Sequence, residues 1–98
     1  MEKHFYVYIL ANATNVATYI GVTSNLPARI YEHKKHMDPD SVPAKYNITK
    51  LVYYEEAGTD PCPAFEREKQ LKRWRREKKN ALVASMNPTW RDLYEDLF

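Results

Sequence analysis

Ninety-eight residues, 44% of them hydrophobic and 29% charged, suffice for one small domain with its own core and argue against wholesale disorder. No apolar run approaches the roughly 20 residues that span a bilayer, no secretory signal is visible, and a lone cysteine, Cys62, excludes an internal disulfide and a multi-cysteine zinc site. The expectation is a single domain over 1–98 in a reducing cytoplasm, with no membrane and no disulfide-linked partner.

Phe5 to Leu10 is β-branched and aromatic and reads as a first strand. Asn12 to Asn15, "NATN", is turn chemistry, and Val16 to Val22 reads as the returning strand. With a four-residue loop at 12–15, cross-strand partners sum to 27, which places Tyr8 opposite Tyr19 on one face. A helix starts near Pro27, capped by Ser24 or Asn25. Leu26, Ile30, His33 and Met37 then form one apolar stripe, with Arg29 at its edge.

"MDPDSVPAKYN" reads as a loop and "ITKLVYYEEA" as a third strand. Asp60-Pro61 is a helix-start signal, and the helix it opens runs from about Pro63 to near Arg75. A further helix covers about Glu77 to Met86 and stops at Asn87-Pro88. Trp90, Leu93, Tyr94 and Leu97 form a short amphipathic tail that folds back onto the core. The order β-β-α-β-α-α, opened by an antiparallel hairpin, predicts an α/β or α+β sandwich on a small sheet.

The net charge of +2 is mild, but eight basic residues stand between Arg67 and Lys79 against only Glu68 and Glu77. Such a run is either a solvated helix face or a phosphate-binding surface, and nucleic acid is the partner it favours. Lys69, Lys72, Arg73 and Arg76, with Lys45, are the candidate backbone contacts.

Glu68 shares a line with Ala64 and Leu71, so it interrupts an apolar helix face. Glu66 lies instead with Lys69, Gln70 and Arg73 on a solvent-facing line. A carboxylate turned inward needs a partner. Two remain open: an internal ion pair with Arg29, or a hard divalent cation held by one carboxylate and water. Tyr8, Tyr19 and His33 each have an ordinary structural reading as strand or core residues. A phenol can also donate, accept or act as a base, which makes their grouping with Arg29 a candidate site. Neither a phosphate-cradling glycine loop nor a zinc-protease histidine pair is present.

These residues in this order resemble the GIY-YIG nuclease superfamily. The first half-motif is Tyr6-Val7-Tyr8, with Tyr6 in place of the glycine. The second, Tyr19-Ile20-Gly21, is intact. Arg29 and His33 follow at the family's spacing, and Glu68 within "AFEREKQLKRW" matches its helical glutamate. Together with "LVYYEE" and "NPTWRDL", the chain looks most like the small stand-alone YhbQ-like bacterial group, which is related to the N-terminal domain of an excinuclease component.

The resemblance implies a three-stranded antiparallel sheet flanked by helices, and metal-dependent endonucleolytic hydrolysis of DNA phosphodiesters in repair or recombination. In it Glu68 holds one Mg²⁺ or Mn²⁺, Arg29 neutralises the scissile phosphate, and Tyr8 or Tyr19 handles the attacking water. His33 supports that tyrosine or the leaving group. The superfamily also carries an asparagine after the helix, for which Asn80 and Asn87 compete. The alternative from another class is a nucleic-acid-binding or adaptor module with little or no hydrolytic activity. A third reading is a structural domain whose tail, Trp90 to Phe98, mediates self-association.

Overall fold

A computed structural model describes residues 3–98. Three strands, β1 (Tyr6–Ala11), β2 (Thr18–Thr23) and β3 (Lys50–Glu56), form one antiparallel sheet with β1 in the centre, in the order β2-β1-β3. The helices are α1 (Leu26–Lys34), α2 (Val42–Lys45), α3 (Pro61–Arg73) and α4 (Arg76–Met86), with a 3₁₀ turn at Tyr94–Leu97. This is the expected α+β order, with one short helix added. The extra turn lies in the stretch read as loop, where the Ser41 hydroxyl caps the amide of Ala44 and Pro43 is buried. Among the described residues, no helix is long and apolar enough to cross a membrane.

A central strand is covered on both faces, which explains why β1 is a near-continuous apolar run. Alternate residues serve different layers. Val7 and Ile9 join Ile20, Val52, Ala64, Leu71 and Val83 beneath α3 and α4. Tyr8 and Leu10 join Leu26, Ile30, Ile48, Leu51 and Leu93 beneath α1 and the tail. The tail folds back as expected: Leu93 is buried, and its amide donates to the Leu51 carbonyl at 2.8 Å.

The hairpin register departs from expectation. Tyr8 pairs with Gly21, and Leu10 is the residue opposite Tyr19. The connection sits one residue further along, because Asn12 stays in the ladder, its amide donating to the Ala17 carbonyl at 3.1 Å. The Asn12 carboxamide oxygen also accepts from the amides of Val16 and Ala17, at 3.0 and 3.1 Å. Partners therefore sum to 29, two more than expected. Because side chains alternate with period two, a shift of two leaves Tyr8 and Tyr19 on the same face.

Met37 is also not where the stripe placed it. It is 64% exposed, because α1 ends at Lys34 and His36 turns the chain with a φ of +50°. The cap of α1 is Asn25, whose side chain accepts from the Ala28 amide at 3.3 Å, with Pro27 in the first turn. Asp60 does the same for α3, accepting from Cys62 at 2.9 Å.

Candidate active site

Tyr8 forms the floor of the site. It is 1% exposed, and its phenol lies across the backbone of Gly21 on the neighbouring strand. A Cβ at Gly21 would stand only 2.5 Å from the Tyr8 Cζ, so the absence of a side chain there is what leaves room for the phenol. The Tyr8 hydroxyl reaches the Nε2 of His33 at 3.0 Å. His33 comes from the inward stripe of α1 and is itself buried. Tyr19, half-buried on β2, packs edge-on against the same imidazole with ring centroids 5.9 Å apart.

Arg29 stands one helical turn before His33, beside the Tyr8 phenol. Its Nη1 donates to Glu32 Oε1 at 3.1 Å, and the side chain is 40% exposed. The ion pair weighed for Arg29 is therefore made with Glu32, and Glu68 pairs with Lys72 one turn along its own helix at 3.4 Å. Sequence reasoning passed over Glu32, although its spacing of three from Arg29 was the available signal. A recess beside Arg29 is lined by Glu32, His33, His36, Asp38 and Ser41.

Glu68 arrives from the opposite layer. Its helix packs by Ala64 and Leu71 against the face that carries Val7 and Ile9, and α3 runs along β2, the edge strand. The Glu68 side chain is only 19% exposed, and its charge still reaches the Tyr8 phenol. Tyr8, Tyr19, Arg29 and His33 thus meet from β1, β2 and α1, and Glu68 stands on α3, the helix that runs along β2.

Burial sets the protonation states. It pushes the Tyr8 phenol up to about 12, against the pull of the adjacent Arg29, while the Tyr19 phenol and Glu68 add to the rise. It also brings His33 down to about 4, assisted by the Arg29 charge and opposed by Glu32. At neutral pH a neutral phenol therefore faces a neutral imidazole. With the phenol donating, Nε2 is the accepting nitrogen and Nδ1 carries the proton.

Of the basic candidates, Lys45, Lys69 and Arg73 are exposed, and Lys72 is exposed while pairing with Glu68. Arg76 is exposed too, and its guanidinium donates to the backbone carbonyls of Asn15 and Val16 in the hairpin connection and, through Nε, to Asn80 at 2.9 Å. Asn87 is 3% exposed, and its amide donates to the carbonyls of Val52 and Arg91 at 3.1 and 2.8 Å. It ties the end of α4 to β3.

The sheet carries the two tyrosines, and the flanking helices carry the arginine, the histidine and the glutamate on which the sequence resembles a class of nucleases. The family profile described as the GIY-YIG catalytic domain matches residues 4–80, and the chain belongs to this nuclease family. It is also similar to a UPF0213 protein of Bacillus pumilus (strain SAFR-032), with 26% identity over 86 residues that make up 88% of this chain and 86% of that one. No solved structure matches it.

Proposed function

We propose that this chain is a DNA endonuclease that hydrolyses phosphodiester bonds with a single Mg²⁺ or Mn²⁺ held by Glu68, and that it acts in DNA repair or recombination in the cytoplasm. The observation that supports the reading best is the buried Tyr8–His33 hydrogen bond with Arg29 beside it, while Glu68, only 19% exposed, lies on the helix that runs along β2, the strand of Tyr19. The donor chemistry fits such a cation. Among the described residues no cluster of three His, Cys, Asp or Glu side chains is placed to form a cage. A hard cation that keeps most of its water needs one or two carboxylates and the substrate's own phosphate oxygens, which Glu68 alone can begin. When bound, the cation supplies Lewis-acid polarisation of the phosphate.

The protein's own groups divide by access. Arg29, 40% exposed at the rim, carries a planar fork suited to the charge that builds on the scissile phosphate. Tyr19 is half-buried, so its hydroxyl can hydrogen-bond and position the attacking water, whereas Tyr8 is buried. The Tyr8 hydroxyl, bonded to Nε2, holds the His33 ring in place beside Tyr19. Lys45, Lys69, Lys72, Arg73 and Arg76 contact the DNA backbone, and Arg76 also secures the hairpin.

The test is incubation with supercoiled, single-stranded and branched DNA, with Mg²⁺, Mn²⁺ or chelator, beside Glu68→Gln and Arg29→Ala. Metal-dependent cleavage that the two variants lose is the expected result. No cleavage above the variants on any substrate sinks the proposal, and salt-sensitive binding that survives in both favours the adaptor reading.

A further inference from the structure

Phe65 is 51% exposed, belongs to neither apolar cluster, and stands three residues before Glu68 on α3. The buried stripe of this helix is Ala64 and Leu71. Glu68 lies at one edge of that stripe; because Arg67 on the opposite edge binds Glu55 of β3, the Glu68 edge is turned toward β2, the strand that carries Tyr19. Continuing around the helix in the same direction come Lys72 and then Phe65, followed by Lys69 one turn beyond Phe65. The other flank, with Arg67 and Gln70, turns away: Arg67 is bound to Glu55 on β3 at 3.0 Å and stacks over Trp74.

An aromatic ring left in water on a helix face that also carries the exposed Lys69 and Lys72, the latter paired with Glu68, suits a nucleic acid better than a protein partner. Bases offer a π-face to the ring while the lysines take the flanking phosphates. Residues three apart on a helix have Cβ atoms about 5–6 Å apart, which is within the reach of one nucleotide. We propose that Phe65 is a stacking platform for an unpaired nucleobase next to the scissile phosphate. The preferred substrate is therefore DNA that is single-stranded or frayed at the cleavage point.

This inference rests on the nuclease reading of the site for its meaning, but it is tested by binding alone. Fluorescence anisotropy with a labelled oligothymidylate and with a blunt duplex of equal length, both in chelator, is compared for the parent chain, Phe65→Ala and Phe65→Trp. Because the ring is exposed, the thermal unfolding midpoint serves as a check that Phe65→Ala is folded. The expected result is a loss of roughly 5- to 150-fold in single-strand affinity for Phe65→Ala, recovered in Phe65→Trp, with duplex affinity within about two-fold.

Unchanged single-strand binding in Phe65→Ala, an equal loss on both DNAs, or no single-strand binding by the parent chain overturns the proposal. A parent chain that binds through Phe65 but cleaves nothing with Mg²⁺ defeats the nuclease reading and leaves the platform standing. Cleavage by a parent chain whose Phe65→Ala variant binds normally does the reverse.

Discussion

The phenol of Tyr8 occupies the volume that a side chain at Gly21 would fill. The two residues are cross-strand partners, and the ring of one is seated on the bare backbone of the other. Gly21→Ala must therefore displace a fully buried ring whose hydroxyl holds His33. The expected cost is about 1–3 kcal/mol of stability, the range for overpacking a core, read from denaturant midpoints. Paired with Tyr8→Leu, the same change should cost much less, because the clash partner is gone. A double-mutant cycle that shows no coupling between the two positions refutes this account.

The two tyrosines should separate in kinetics. Tyr19→Phe removes the accessible hydroxyl and is expected to lower cleavage by roughly 10²–10⁴-fold at near-parental stability. Tyr8→Phe removes a buried hydrogen bond to His33 and is expected to cost on the order of 1 kcal/mol in stability, with a smaller loss of rate. The reverse ranking in a metal-dependent cleavage assay would make Tyr8 the group that meets the water.

His33 gives the fold an acid limb. Its folded-state value, brought down to about 4 from 6.5, means that the unfolded chain binds a proton the native chain refuses between those values. Stability from the neutral imidazole is therefore fully present above pH 6.5 and is lost as pH falls through 4. Denaturant midpoints recorded from about pH 7 to about pH 4 should decline more steeply for the parent than for His33→Gln, relative to each protein's own value at neutral pH. Titration of the His33 ring by NMR near its ordinary value of 6.5 would contradict this.

Asn87→Ala removes an amide that donates to two carbonyls and an oxygen that accepts from the Arg91 amide at 3.2 Å. Leaving the buried Val52 carbonyl unpaired is expected to cost on the order of 2–3 kcal/mol in thermal or chemical unfolding. Cleavage per folded molecule should persist. A stable but inactive Asn87→Ala would place that residue in the chemistry.

The elements of this fold were legible because their periods are unambiguous. Apolar and aromatic residues run through the strands, and Asn25, Pro27, Asp60 and Pro61 mark the helix starts. The hairpin register was not legible, because it turns on the Asn12 side chain bonding two amides beyond the loop that composition suggests. That the two tyrosines share a face survived the error, since the slip was of even length.

Met37 was misplaced for a different reason: the helix ends three residues earlier, and no glycine or proline announces the stop at His36. The inward setting of Glu68 followed from its place between Ala64 and Leu71, but its choice of Lys72 over Arg29 depends on three-dimensional distances. The same holds for Asn87. Two asparagines followed the helix, and only the fold shows that one anchors β3 while the other receives Arg76.

The outer edge of β3 is closed by the chain's own tail. At Leu51 the carbonyl accepts from Leu93 and the amide donates to the Asp92 carboxylate, while the next carbonyl, of Val52, is taken by Asn87. These are groups through which another strand could dock, so residues 87–93 act as a guard against edge-to-edge aggregation. A chain cut after Met86 would bare this margin of the sheet and is expected to associate. An unchanged monomer after that cut refutes the guard, and a full chain that pairs through Trp90 to Phe98 would make the same tail a joining surface.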